Sequence, residues 1–220
     1  MKFGLTFFLG VLMVVTSVRG EDSPKKYTQF YYQRASLFEK LPVSETDIVF
    51  LGNSLTNGAE WSEIFNNPNI RNRGISGDNT DGIYDRLDPI VKGKPSKIFL
   101  LCGVNDLANG ESPQYIASNI ARIIKKIRAE SPRTKLYVQS LLPFNDEFKR
   151  WKNLDGKAGL LTETNRLIET VCRKEKIPFI PLHATFCNEH GKLDEKYTND
   201  GLHLNGNGYM VWKEILLPYL

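Results

Sequence analysis

The sequence predicts a three-layer α/β/α domain around a five-stranded parallel sheet, and three observations carry that expectation. Five short apolar runs recur along the chain. The stretches between them are long enough for helical crossovers, and most place apolar residues three and four apart. The central run, Lys97–Cys102, is apolar almost without interruption, as a strand covered on both faces should be.

Taken in order, the runs are Asp47–Gly52, a weaker Asn69–Arg73, Lys97–Cys102, Lys135–Ser140 and Ile177–Pro181. Pro178 and Pro181 put the last at a sheet edge, where a missing N–H costs no ladder bond. A helix over roughly 27–41 precedes the first strand. Thr80 is expected to cap a helix with Ile83, Leu87, Ile90 and Val91 on one side. Ser112 and Pro113 read as N-cap and first position of another, followed by Ile116, Ile120, Ile123, Ile124 and Ile127. Leu160, Leu161, Leu167, Ile168 and Val171 mark a third, and a last helix should run from about Gly208 to Leu217. No internal repeat occurs, and no linker rich in Gly, Pro or Ser follows residue 24, so residues 21–220 read as one domain.

With 41% hydrophobic and 25% charged residues in 220, the chain is neither disordered nor collagen-like. Behind Lys2, residues 3–18 hold no charge, and Val18-Arg19-Gly20 offers small residues for cleavage. Residues 1–20 are therefore expected to be a signal peptide, with export to the periplasm or the medium and no stable membrane anchor afterwards. Cleavage removes two of the 29 basic residues and none of the 25 acidic ones, so the formal charge falls from +4 to +2. The remaining cations are scattered rather than striped, which argues against nucleic-acid binding. Of the three cysteines, Cys102 reads as a buried thiol. Cys172 and Cys187 are candidates for a bridge, and no spacing suggests a metal site.

In sheets of this kind chemistry gathers where the strands end. Gly52-Asn53-Ser54-Leu55 follows the first run, and a Ser there projects its hydroxyl over the sheet or serves as an ordinary N-cap. Ser76-Gly77-Asp78-Asn79 follows the second, in a tight turn that frees the Gly77 N–H. Gly103-Val104-Asn105-Asp106 follows the third, offering a side-chain amide or merely a turn. Near the end lies Asp200-Gly201-Leu202-His203.

In this order the four blocks resemble the SGNH (GDSL-type) hydrolase family, from about Asp47 to the C-terminus. The resemblance implies a flavodoxin-like SGNH hydrolase fold, with Ser54 as nucleophile and Asp200 and His203 completing a triad. It also implies an oxyanion hole from the N–H groups of Ser54 and Gly77 and the Asn105 amide, with no metal or organic cofactor. Asn53 stands where the family name has Asp, at a position with no proton to transfer. The expected activity is that of a secreted serine carboxylester hydrolase removing short acyl (acetyl) groups from a carbohydrate or small-molecule ester. This resembles platelet-activating-factor acetylhydrolase-like and sialate O-acetylesterase-like members. A lysophospholipase or thioesterase acting on longer chains, or a silent carbohydrate-binding protein on the same scaffold, are the rival expectations.

Other residues read more plainly. His183 is expected to be hydrogen-bonded near the core and His190 solvated in a loop, while Asp78 and Asp106 should accept loop N–H bonds. Trp61, Phe144 and Trp151 lie where substrate walls are built, although covering the edge of the core is the preferred reading for them. The segment 143–156 is long enough for a lid or substrate loop. The first turn lacks both GxGxxG and a P-loop Lys, which argues against nucleotide binding.

Overall fold

In the computed structural model, which describes Met1 and residues 26–220, the five runs form one parallel sheet in the order β2-β1-β3-β4-β5. Its strands are β1 (Ile48–Gly52), β2 (Ile70–Gly74), β3 (Lys97–Leu101), β4 (Lys135–Gln139) and β5 (Phe179–Ile180). The expected leader, residues 1–20, lies outside the described residues but for Met1.

All five residues of β1 are buried because the two faces of the sheet pack on separate cores. Val49 and Leu51 join Ile98, Leu100, Leu136 and Val138 on one face, and Ile48 and Phe50 join Phe99 and Leu101 on the other. A strand covered on both sides needs apolar residues at every position, so its run is continuous rather than alternating. On the second face, ring stacking runs from Trp61 through Phe50 and Phe99 to Tyr137, with centroids 4.4, 5.0 and 4.9 Å apart. At the β5 edge, Pro178 and Pro181 limit the strand to two residues, as their missing N–H groups require.

The helices are α1 (Gln29–Lys40), α2 (Ser54–Asn57), α3 (Trp61–Ile64), α4 (Thr80–Asp85), α5 (Asp88–Lys92), α6 (Val104–Ala108), α7 (Pro113–Glu130), α8 (Ala158–Glu175), α9 (His183–Phe186) and α10 (Gly206–Leu216). As expected, Ser112 caps α7 by accepting the Tyr115 N–H (3.1 Å), and the five isoleucines of α7 are buried.

Four expectations need correction. The helix foreseen after Thr80 is two, α4 and α5, because Pro89 has no N–H to donate to the Asp85 carbonyl and its ring crowds that carbonyl, whereas in the first turn of α5 neither matters. Its apolar face survives, since Ile83, Leu87, Ile90 and Val91 all reach the core. Asn79, not Thr80, caps α4: its Oδ1 accepts the Gly82 N–H (2.9 Å) while the Thr80 hydroxyl turns inward to Asp106. On α8, Leu160 points outward at 44% exposure, leaving Leu161 and Ile168 to pack on the sheet. The bridge considered between Cys172 and Cys187 is absent, and both are free thiols. Cys172 is packed into the first core, whereas Cys187 ends α9 beside Phe186 of the second.

Register decides where the loops emerge. Gly52 lies level with Gly74 on one side and with Leu101 on the other, so three strands end at one edge. A methyl group on Gly74 would stand 2.2 Å from the Asn57 nitrogen, so the chain leaving β2 and helix α2 touch backbone to backbone. Gly74→Ala should therefore destabilise the fold by ~1–3 kcal/mol or more. Urea unfolding followed by circular dichroism measures this, and a midpoint equal to wild type would contradict the close approach.

Candidate active site

Ser54 is the first residue of α2, two positions beyond the end of β1. Its neighbour Asn53 supplies the cap, accepting the Leu55 N–H on Oδ1 (3.1 Å), so Ser54 is not the N-cap and its hydroxyl is left for other partners. From β2 the chain enters a turn with Gly77 at φ +80°, in the left-handed region that favours glycine. Neither the Ser54 N–H nor the Gly77 N–H finds an acceptor among the described residues.

Asn105 lies in α6, just past β3, and its Nδ2 donates to the Asp78 carbonyl (2.8 Å). One amide hydrogen is thereby committed and the plane of the amide is fixed, leaving the second hydrogen unassigned. The following residue, Asp106, accepts the Thr80 N–H on both carboxylate oxygens (3.1 Å each) as well as the Thr80 hydroxyl. The loops after β2 and β3 are thus cross-braced by adjacent residues.

Asp78 is buried and paired with Arg86, whose Nε donates to Oδ2 at 2.8 Å and whose Nη2 donates to the Gly52 carbonyl (3.0 Å). Burial raises the Asp78 carboxyl to about 6, against the lowering effect of Arg86. Asp106 is likewise raised by burial, opposed by its bonds from Thr80. The expectation that both aspartates accept loop N–H bonds agrees with their partners, Asn79 for one and Thr80 for the other.

The loop before α10 curls tightly around Gly201, whose φ is +84°. Asp200 Oδ1 accepts the backbone N–H groups of Leu202 (2.9 Å) and His203 (2.8 Å), and Oδ2 lies 2.7 Å from His203 Nδ1. The bend brings Asp200 and His203, three apart in sequence, face to face. A carboxylate only accepts, so Nδ1 carries the ring hydrogen and Nε2 of the neutral ring is a bare acceptor. That Nε2 lies 2.9 Å from Ser54 Oγ, closing a continuous Asp200–His203–Ser54 hydrogen-bonded chain across 149 positions of sequence. Burial pushes the Asp200 carboxyl up, but the His203 ring and the two backbone N–H groups outweigh it and hold it below the ordinary value.

Comparison with known proteins extends this geometry. Residues 50–211 match the GDSL-like Lipase/Acylhydrolase family. The chain belongs to this family. The human platelet-activating factor acetylhydrolase IB subunit alpha2 is 26% identical to it over 172 residues, 75% of this chain and 72% of that protein. A GDSL-like lipase from Bacteroides thetaiotaomicron superposes with a TM-score of 0.75 at 25% identity, covering 86% of this chain and 96% of the other. An acetyl xylan esterase shares the fold at a TM-score of 0.66 and 17% identity, over 79% of this chain and 99% of that one.

The chain is thus an ester hydrolase of the acylhydrolase type. In this hydrolase the aromatic candidates separate. Trp61 is 1% exposed in the second core, with its indole N–H on the Thr56 carbonyl (2.8 Å), and Phe144 is buried in the first. Neither is a substrate wall, because both have been drawn into the cores that support the loops. Trp151 does stand at the site, edge-on to the His203 ring with centroids 5.1 Å apart. The 143–156 segment that carries it is tied to the His203 loop through Asn145, whose N–H donates to Gly201 O (2.7 Å). His183 is half-buried, its N–H donating to Ser140 Oγ (2.9 Å), and His190 is exposed in a turn. Among the described residues, no cluster of three or more His, Cys, Asp or Glu is arranged to hold a metal ion.

Residues that carried no signal in the sequence also shape this acylhydrolase's site. Asn72, inside β2, donates from Nδ2 to the carbonyls of Thr56 (3.0 Å) and Ala59 (2.9 Å) and so pins the segment behind Ser54. The Thr198 hydroxyl lies between the Gly201 N–H (2.9 Å) and the His203 carbonyl (2.7 Å). Each bond joins positions that only the folded loop brings together.

A carboxyl held below its ordinary value stabilises the fold above the unfolded value of about 3.9, and that contribution fades as pH falls through the folded value. Asp200→Asn should therefore lower the melting temperature at pH 6, with the deficit shrinking below about pH 4. Thermal unfolding of both proteins across this range checks the sign, and a deficit that grew on acidification would refute it.

Proposed function

We propose that the protein is an exported serine esterase that removes acetyl groups from a carbohydrate or other small-molecule ester through Ser54, His203 and Asp200. The observation that carries the reading is the unbroken hydrogen-bond chain from Asp200 to Ser54 Oγ. In the proposed mechanism, His203 Nε2 takes the Ser54 proton as Oγ attacks the ester carbonyl carbon. The carbonyl oxygen becomes an oxyanion, met by the N–H groups of Ser54 and Gly77 and by the second Asn105 amide hydrogen. Asp200 holds the ring in the tautomer this requires and stabilises the imidazolium that forms. The imidazolium then protonates the leaving alcohol, and the same base activates a water that releases the acid.

The acetyl preference draws support from two similar proteins, one named an acetylhydrolase and the other an acetyl xylan esterase. The second name also supports a carbohydrate ester. Close packing of Trp151 on His203 favours a small acyl group beside the base. Export rests on residues 3–18, uncharged behind Lys2.

Ser54→Ala should abolish hydrolysis of p-nitrophenyl acetate while the circular dichroism spectrum stays unchanged, and wild-type rates in that variant would reject the nucleophile. Asn105→Ala should lower kcat by roughly 100- to 1,000-fold, the usual effect of removing one oxyanion donor. Rates on acyl chains from acetyl to octanoyl should fall steeply beyond acetyl; a maximum at the longer chains would instead identify a long-chain acylhydrolase. N-terminal sequencing of protein recovered outside the cytoplasm should begin at residue 21.

A further inference from the structure

Away from Ser54, the structure holds a buried cation with no carboxylate at ion-pair distance among the described residues. Arg73 lies on β2 with only 5% exposure. Its register partner is Leu51, so it is on the face of the sheet that α1 and α5 cover. Nη1 and Nη2 donate to the carbonyls of Asn72 (3.2 Å) and Leu41 (3.0 Å). Nε finds no acceptor, and no carboxylate pairs with the guanidinium among the described residues. Burial pushes its pKa down to about 10, so it still carries its charge at neutral pH.

Arg73 and Arg86 both line a cavity of about 440 Å³ beneath α1, a size suited to a small organic molecule. Arg86 is also buried, and its Nη1 is a second donor without an acceptor. The acids in the same wall are otherwise engaged or outside. Asp85 takes the Lys26 ammonium (2.9 Å) and the Tyr27 hydroxyl (2.6 Å), Asp88 takes Lys126 (2.7 Å), and Glu39 is exposed. The deep charge of the cavity is therefore positive, while Tyr31, Phe38, Val43 and Ile90 make the rest of its lining apolar. The Phe38 ring faces Arg73 at 4.8 Å and so orients the guanidinium.

We propose that this cavity is a binding site for a small organic anion, a carboxylate or phosphate on an apolar or ring-shaped body, whose charged end meets Arg73. A guanidinium with a free N–H, desolvated and aligned on an aromatic face, recognises such oxyanions with directed, charge-assisted bonds. An adjoining cavity shares Lys26, Tyr27 and Tyr31 with this one and reaches Gly77. The anion is thus either the acidic part of an ester lying along the tyrosines or a separate effector. The chemistry of recognition is the same for both.

Benzoate, phenyl phosphate and the neutral benzamide, titrated onto the full protein with thermal unfolding and calorimetry as readouts, test the site. One or both anions should raise the melting temperature saturably and benzamide should not. Arg73→Gln should weaken binding by tenfold or more, and Arg73→Lys should restore part of it. Ala35→Phe fills the cavity from α1 without touching Arg73, and should abolish binding even where Arg73→Gln proves too unstable to assay. Ser54→Ala should bind as wild type does, so the anion site and the proposed nucleophile stand or fall separately. An anion that raises KM for p-nitrophenyl acetate at constant kcat occupies the substrate path; one that leaves KM unchanged, or alters kcat, is an effector. Either pattern upholds the site. Absence of binding by both anions, equal binding of benzamide, or wild-type affinity in both Arg73→Gln and Ala35→Phe would overturn it.

Discussion

Gly52 pairs across to Gly74 on one side and Leu101 on the other, and this level register sets the geometry of everything above the sheet. Ser54 then follows β1 by two residues, Gly77 follows β2 by three, and Asn105 follows β3 by four. Groups from three separate crossovers thereby arrive at one edge with no long loop to position them. A shift of one strand by one residue would move its loop by about 3.3 Å and reverse which side chains meet each core. The division of β1's side chains between two cores, Val49 and Leu51 in one and Ile48 and Phe50 in the other, is thus also what fixes the height of Ser54.

Above that edge, rigidity comes from a buried polar network rather than from hydrophobic packing. Arg86 bonds at once to Asp78 and to the Gly52 carbonyl, so it couples the loop after β2 to the end of β1. The Asp78 backbone carbonyl holds the Asn105 amide, while Asp106 takes Thr80. A charge pair taken from water loses solvation that its attraction alone rarely returns. Here the carboxylate and guanidinium each gain further bonds to backbone, which turns a costly pair into a joint between two loops.

Much of this architecture was legible because it rests on local rules. The continuous run at Lys97–Leu101, the Ser112-Pro113 helix start and the prolines around β5 each act within a few residues, and their elements stand where those rules place them. The three blocks after β1, β2 and β3 and the Asp200–His203 block before α10 were visible, too, as short strings. What escaped was long-range competition. Thr80 is a good N-cap by its type, but its hydroxyl is claimed by Asp106, 26 positions away, and Asn79 caps instead. Trp61 and Phe144 follow strand ends, as wall residues would, yet the cores beneath the loops had room for them. Asn72 lies in a weak, polar run where nothing local marks it as the clamp on the segment behind Ser54.

Arg73 and Arg86 put two desolvated guanidiniums on one side of the same sheet, and they differ in what answers the charge. Arg86 has the carboxylate of Asp78 and is part of the site's framework. Arg73 has two backbone carbonyls and an aromatic ring, which direct it without neutralising it. An apolar side chain could fill the same depth at less cost, since burying an unpaired charge is among the least favourable things a core can do. A cation kept there against that cost, beside a cavity large enough for a ligand, makes sense when its counter-charge comes from outside the chain. The same face that holds the loop after β2 in place would then also sense what lies beneath α1, through Arg86, which the loop and the cavity share.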